Sequence, residues 1–260
     1  MTYLIDTHAH LDMYEDWETV FSDAQKEGIR KIVIPSVEEQ FFEKVIDIAN
    51  QKDDLYCMRG IFPTEAKTWN DTIFDKIKIL SKSDKVVAIG EIGLDYYWDK
   101  TYTELQKDIF IKQIKIANEL NLPIVVHDRD AHKDCFEIIK AVNKGSKVLF
   151  HCFSGSPEFA MECVKEGWYI ALGGVVTFKN AVKAKEVAKT VPLSNLVLET
   201  DSPYLTPVPY RGKENRPQYI KYVADEIANL RETSVDEIVS VTTKNAEDFF
   251  MISEQIIKTS

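Results

Sequence analysis

The 260-residue chain predicts an α/β fold, a (β/α)8 TIM-like barrel, formed as a single domain over residues 1–260. Three observations predict it. Short apolar, β-rich runs alternate with helix-length amphipathic segments from one end of the chain to the other. Eight such runs occur, spaced at roughly 25–30 residues, as expected of strand–helix units in a parallel barrel. No linker, low-complexity tract or composition break interrupts the series. A doubly wound open sheet is the alternative, but the GxGxxG fingerprint that favours it is absent.

The first strand is YLIDTH (3–8), and DWETVFSDAQKEG (16–28) follows as a helix that stops at glycine. KIVIPSV (31–37), LYCMRGI (55–61) and VVAIGEIG (86–93) supply the next three strands. TYTELQKDIFIKQIKIANELN (101–121) has apolar residues at helical spacing, and PIVVHD (123–128) and KVLFHCF (147–153) are strands five and six. SPEFAMECVKEG (156–167) opens on Ser156, whose hydroxyl can accept from a free N–H of the first helical turn, and closes on glycine. YIALGG (169–174) and LVLETD (196–201) complete the eight strands, and two helices, 216–232 and 234–250, end the chain.

A hydrophobic content of 45% over this length is enough for a sizeable core. No stretch approaches the ~18–20 uninterrupted apolar residues of a membrane span, and Met1 leads into the first strand without a basic flank or long apolar run. A soluble, cytoplasmic protein is the expectation. Cys57, Cys135, Cys152 and Cys163 show no CxxC spacing and are expected as reduced thiols. Cys152 in particular should alternate away from His151 into the packing between barrel and helices. The formal net charge of −10 excludes binding of polyanions by bulk electrostatics, so attraction to a nucleic acid must be local or come from bound cations.

Chemistry in a parallel barrel sits at the C-terminal ends of the strands. Strand one ends in His8 and His10, strand four in Glu91, strand five in His127, strand six in His151 and strand eight in Asp201. Four of the chain's five histidines therefore fall at corresponding places in different units. Side chains at i and i+2 of a strand share a face, so His8 and His10 can bind one ion while Ala9 points away. His132, the fifth histidine, falls inside a helix and is expected at the surface.

A lone strand-end histidine is usually a hydrogen-bonded interior residue; the constellation is what points to metal. Mixed imidazole and carboxylate donors suit Zn²⁺, Mn²⁺ or Mg²⁺. Six donors are too many for one catalytic ion, which takes about three protein ligands and a water. Two divalent ions bridged by Glu91 use all six, with His8, His10 and Asp201 on one and His127 and His151 on the other. Such pairs stabilise the attacking and leaving oxygens of a phosphoryl displacement.

DTHAHLD (6–12), GEIGLDYY (90–97), LPIVVHDRDA (122–131), HCFSG (151–155) and LETDSPYL (198–205), in this order, resemble the TatD family of metal-dependent hydrolases within the amidohydrolase-like superfamily. RGKENRP (211–217) is a looser match, and Thr243-Lys244-Asn245 extends the likeness over nearly the whole chain. The resemblance implies a TIM-like barrel, a divalent-metal site and phosphodiester hydrolysis on DNA, often as a 3′-end-directed exonuclease. The family's metal ligands fall by position on His8, His10, Glu91, His127, His151 and Asp201. Two departures stand out: Phe62 replaces a histidine of the family's Gly-x-His-Pro motif, and Glu214 and Arg216 are transposed relative to the usual pattern.

The expected mechanism is attack by a water activated on two ions, with Asp201 as general base and Glu91 as the bridge. Arg129 is the expected phosphate clamp, with a salt bridge to Asp95 or Glu91 as its competing role. Ser154 is a candidate phosphate donor, Phe62 a base-stacking surface, and Arg211 and Lys213 further substrate contacts. Tyr96, Tyr97 and Trp98 can form a stacking platform or a plain aromatic cap. The expected partner is single-stranded DNA or a small phosphodiester, with no membrane, no obligate protein partner and a monomer as the default. The alternatives are an amidohydrolase acting on an acyl or aminoacyl ester or amide bond in the same barrel, and a noncatalytic protein with structural metals.

Overall fold

Eight strands pair in chain order, all parallel. They are β1 (Leu4–Asp6), β2 (Ile29–Ser36), β3 (Leu55–Arg59), β4 (Val86–Asp95), β5 (Ile124–Arg129), β6 (Val148–Phe150), β7 (Tyr169–Leu172) and β8 (Leu196–Leu198). This computed structural model describes residues 3–98 and 100–253, so the outermost ends of the expected 1–260 domain lie outside the described residues. Nine helices fill the connections and the chain end among the described residues: α1 (Trp17–Lys26), α2 (Phe42–Asn50), α3 (Asp71–Leu80), α4 (Thr103–Leu120), α5 (His132–Val142), α6 (Pro157–Lys165), α7 (Val182–Thr190), α8 (Ile220–Arg231) and α9 (Val235–Phe250). None is long and apolar enough to cross a membrane.

Each strand is buried on both faces, which is why it reads as a near-continuous apolar run. One face of every strand points into the barrel, where Ile5, Val33, Met58, Val87, Val125, Leu149, Ala171 and Val197 pack together. Phe249, Phe250 and Ile252, from the end of α9, close that inner core. The other faces pack under the helices in a larger shell that holds Cys57, Cys135 and Cys163. All four cysteines are free.

The helix ends follow local chemistry. Ser156 and Ser234 cap α6 and α9 by accepting from the N–H groups of Phe159 and Glu237. Gly28 and Gly167 end the α1 and α6 segments at φ 88° and 78°, a backbone region that a β-carbon disfavours. The segment expected to be helical from 216 starts later, at Ile220, because Pro217 opens a short 3-10 turn first.

The barrel closes through an irregular seam. β1 and β8 are three residues each, and the chain beyond them completes the closure. Thr7 N–H donates to the Leu198 carbonyl, Asp201 N–H to that of His8, and His10 N–H to that of Ser202, at 3.2, 2.9 and 2.8 Å. Ala9 and Ser202 form a parallel bridge between them.

One feature of the shell works against stability. Arg59, the last residue of β3, is fully buried, and none of its guanidinium nitrogens meets a hydrogen-bond acceptor among the described residues. Its guanidinium carbon stands 4.8 Å from the centre of the Phe42 ring. Burial lowers its pKa, and the Cys57 thiol beside it is a weak acceptor. Replacing even a paired buried charge by well-packed apolar side chains is often neutral or stabilising, by up to about 1–4 kcal/mol, and Arg59 has no carboxylate partner among the described residues to lose. Arg59→Met is therefore expected to raise the thermal midpoint, measured by calorimetry on matched metal-loaded samples; a lower midpoint would show that the guanidinium contributes net stability.

Candidate metal centre

The seam positions the first group of donors. Regular pairing in β1 stops at Asp6, two residues earlier than the sequence suggests, because the Asp6 carboxyl takes over as acceptor. Oδ1 receives the N–H groups of Thr200 and His8 at 2.9 and 3.3 Å, and Oδ2 the Thr200 hydroxyl at 2.5 Å. Burial pushes the Asp6 carboxyl up to about 8 despite those bonds. The alternation of side chains nevertheless persists: Ala9 is buried in the outer shell, while His8 and His10 turn together into the mouth. Their Nε2 atoms each lie 3.7 Å from Asp201 Oδ1. Asp201 itself adopts φ 54°, which turns the chain as it leaves the seam.

Glu91 stands at the centre of the second group. It comes from β4, the longest strand, every residue of which is buried. Oε1 lies 2.8 Å from both His127 Nδ1 and His151 Nε2, and Oε2 lies 3.4 Å from His8 Nε2. One carboxylate thus faces three imidazoles and connects the two groups. Gly93, two residues on, has φ 148°, and a β-carbon there would fall 2.0 Å from the His127 carbonyl oxygen. Only glycine lets β4 run this close to β5 at the level of the site.

Two acids outside the sequence-derived set support the imidazoles. Asp95 Oδ2 lies 2.9 Å from His127 Nε2, fixing that ring from the side opposite Glu91. Glu199 Oε1 accepts from Cys152 N–H at 2.7 Å and lies 3.5 Å from His151 Nδ1. Carboxylate partners of this kind orient ligating histidines and raise their basicity. Both were present as spacing in the sequence, Asp95 four residues after Glu91 and Glu199 two before Asp201.

The donors fit a divalent ion. His8, His10 and Asp201 form one group with ligand atoms within 4.8 Å of one another, Glu91, His127 and His151 a second, and His8, His151 and Glu199 a third. His8 is fully buried, and among the described residues its Nδ1 has no hydrogen-bond partner while its Nε2 reaches only long contacts, 3.4 Å to Glu91 and 3.7 Å to Asp201. Its ring stacks on His151 at 4.0 Å, so two buried imidazoles lie face to face without neutralising one another. Orphaned nitrogens aimed at carboxylates are what a metal-binding cluster requires.

The charge states follow from this geometry. Burial works against ionisation of Glu91, but the His151 charge and hydrogen bonds from His127, His151 and His8 hold its carboxyl well below the usual range. Asp201 is lowered in the same sense: burial opposes it, and the His10 hydrogen bond with the His151 charge prevails. Burial also disfavours charge on His10, His127 and His151, and the neighbouring carboxylates raise all three above the usual imidazole value. His8 goes down, from burial and the His151 charge.

The residues expected to meet substrate lie around this centre in different ways. Arg129 makes no ion pair with Asp95 or Glu91; Asp95 is taken by His127, and the guanidinium stacks on Tyr97 at 3.8 Å, with Trp98 at 5.4 Å. Tyr96 is not part of that platform, since its hydroxyl donates to Asp134 Oδ2 at 2.7 Å. Phe62 packs edge-to-face on His127 at 4.5 Å, so it is a wall of the centre before it is a stacking surface. Ser154 is exposed beside the segment that follows β7. Arg211 stacks on Phe178 at 3.7 Å, and Lys213 lies 5.4 Å from the Tyr210 ring, both exposed on the loop after β8.

Two expectations are corrected. Cys152 does not enter the shell: β6 ends at Phe150, and a left-handed φ of 43° at Cys152 breaks the alternation that would have buried it. His132 begins α5 half-buried, bonded at 2.7 Å to Asp128 Oδ2 and stacked on Phe159.

A parallel barrel whose mouth gathers imidazoles and carboxylates in this way is the arrangement of a metal-dependent hydrolase. The family model for TatD-related DNases matches residues 5–251, and the chain belongs to that family. It is 44% identical over 256 residues to the uncharacterized metal-dependent hydrolase YabD of Bacillus subtilis, covering 96% of this chain and 100% of that protein. It is 35% identical over 259 residues to YcfH of Escherichia coli K12, an uncharacterized metal-dependent hydrolase, with 96% of each covered. The crystal structure of YjjV, a TatD homologue from E. coli K12, superposes with a TM-score of 0.91 at 31% identity, covering 96% of this chain and 98% of that one.

The protonation pattern sets the pH dependence of metal binding. Three imidazoles with folded pKa values above 6.5 stabilise the metal-free protein fully below pH 6.5, and that contribution fades as pH rises through the folded values. Metal binding needs the unprotonated rings and displaces their protons. The gap in thermal midpoint between Mn²⁺-loaded and EDTA-stripped protein is expected to widen from about pH 6 to about pH 8.5, with protons released on binding. A gap that is flat or narrows over that range would exclude imidazole ligation.

Proposed function

We propose that the protein is a phosphodiesterase, a 3′-end-directed exonuclease on single-stranded DNA, working with two divalent ions (Zn²⁺, Mn²⁺ or Mg²⁺). The observation that carries this reading is Glu91, whose two oxygens face different imidazole groups, Oε1 at 2.8 Å from His127 and His151 and Oε2 at 3.4 Å from His8. Family membership supports a nuclease, and the donor chemistry supports divalent metal. Ions bound there supply Lewis-acid activation of water and neutralise charge on the phosphate oxygens.

The chain's own residues supply the rest. His8, His10 and Asp201 would hold one ion, His127 and His151 the other, with Glu91 placed to serve both. Asp201 is the general base, because it reaches solvent where Glu91 does not: its side chain is 15% exposed against 4%. It is ionised at neutral pH, with Oδ1 facing His8 and His10, and as a carboxylate can take the proton of the attacking water. Asp95 keeps the His127 ring in place. Arg129, held on Tyr97 rather than on a carboxylate, retains its charge for a phosphate oxygen.

The net charge of −10 makes tight binding along duplex DNA unfavourable, while Arg129, Arg211 and Lys213 attract a strand end locally. The reading is of a monomer in the cytoplasm, in keeping with four unpaired cysteines.

The test is cleavage of 3′-labelled and 5′-labelled single-stranded oligonucleotides with Mg²⁺, Mn²⁺ or Zn²⁺, beside an EDTA control and a matched duplex. The expected result is a metal-dependent ladder shortening from the 3′ end, with duplex slower at equal salt. Asp201→Asn is expected to lower the rate by about 10²–10⁴. Two bound metal equivalents with no cleavage of any strand would sink the reading and direct attention to acyl substrates.

A further inference from the structure

Beside the metal centre is a pocket of about 420 Å³ that the chemistry described so far does not use. Its size falls in the roughly 300–1,000 Å³ range of small-molecule sites. It lies between the loop after β6 and the segment joining β7 to α7. Leu172, Val175 and Val176 form apolar walls, and Ser154, Asn180 and Lys183 stand at its polar, exposed rim.

Two lining residues tie the pocket to the centre. Cys152 follows His151 directly, and its N–H is bound to Glu199 Oε1. Gly173 lies against the same acid: a β-carbon there would sit 3.4 Å from Glu199 Cγ. Glu199 in turn stands 3.5 Å from His151 Nδ1, so one buried carboxylate backs both the pocket and the metal group. The left-handed turn at Cys152, which removes that side chain from the shell, is also what lets it line the pocket.

On the proposed phosphodiesterase reading, we infer that this pocket seats the 3′-terminal nucleoside of the strand, with that nucleoside's 5′-phosphate on the metal pair. Apolar walls suit a base or sugar face, and a polar rim suits the deoxyribose oxygens and base edges. The loop after β8 leans on the same segment, since Val208 N–H donates to Thr177 Oγ1 at 2.9 Å and Arg211 stacks on Phe178. Positive charge from Arg211 and Lys183 therefore gathers on the pocket's side of the mouth. A pocket of about 420 Å³ has room for one nucleoside, which fits action at a strand end.

The test is calorimetric binding of thymidine 5′-monophosphate and of inorganic phosphate to the Mn²⁺-loaded protein, in the wild type and in two pocket-filling variants, Ala184→Phe and Ala181→Leu. Metal stoichiometry and thermal midpoint identify any variant that has not folded, and the two substitutions differ in size and position. The wild type is expected to bind the nucleotide at least tenfold more tightly than phosphate, with the advantage falling below twofold in a folded variant. Equal wild-type affinities, no binding of either ligand, or an advantage that survives filling would overturn the inference. The outcome is separable from the nuclease assay. Oligonucleotide cleavage without a nucleotide advantage removes the pocket alone; an advantage lost on filling, without cleavage, removes the nuclease reading alone.

Discussion

A barrel of eight strands must join its last strand to its first, and here the joint is where the chemistry sits. β1 and β8 are too short to close the sheet by regular pairing. The closing bonds come from Thr7, His10 and Asp201 N–H groups, and from the bridge between Ala9 and Ser202. Three proposed ligands, His8, His10 and Asp201, are therefore held by the bonds that complete the fold. Asp6, buried beneath them, takes N–H groups from both sides of the seam. Loosening the seam would separate His8 and His10 from Asp201; in this molecule site geometry and barrel closure cannot be varied independently.

The same cluster creates an electrostatic problem. Glu91, Asp95, Glu199 and the four mouth histidines are largely withdrawn from water, and burying charge costs several kcal/mol per ion unless it is compensated. Without metal, compensation falls to protons on His10, His127 and His151. His8 receives none of it, because the neighbouring His151 charge adds to the burial that disfavours its own. A divalent cation would relieve these together, replacing shared protons by fixed positive charge and giving one His8 nitrogen a ligand bond. Metal affinity here is in part the release of strain that the fold imposes on its own side chains.

The strands were legible because each is buried on two sides and so appears as an uninterrupted apolar run. The six donors were legible because each follows such a run, at the level where a parallel barrel opens. Glu199 and Asp95 were harder to see. An acid inside LETD or EIGLD looks like an extension of the motif, and its role depends on which imidazole the tertiary fold brings within 3.5 Å or 2.9 Å. Cys152 shows where strand periodicity fails: alternation holds only while the backbone stays extended, and β6 stops at Phe150. Phe62 was visible as an unusual residue, but its contact with His127 joins residues from different strand–helix units and has no local signature.

Arg129 and Arg211 keep positive charge at the mouth of an acidic protein. Each guanidinium rests on an aromatic face, Tyr97 in one case and Phe178 in the other, and neither is paired with a carboxylate among the described residues. Stacking orders the side chain without cancelling its charge, whereas a salt bridge would do both. The two arginines come from units on different sides of the barrel, one on β5 and one in the loop after β8, so their fields add over the mouth between them. Exposed charge elsewhere is screened within a Debye length of about 8 Å at physiological salt. The potential at the mouth is then set by these nearby cations, and much less by the formal charge of the whole chain.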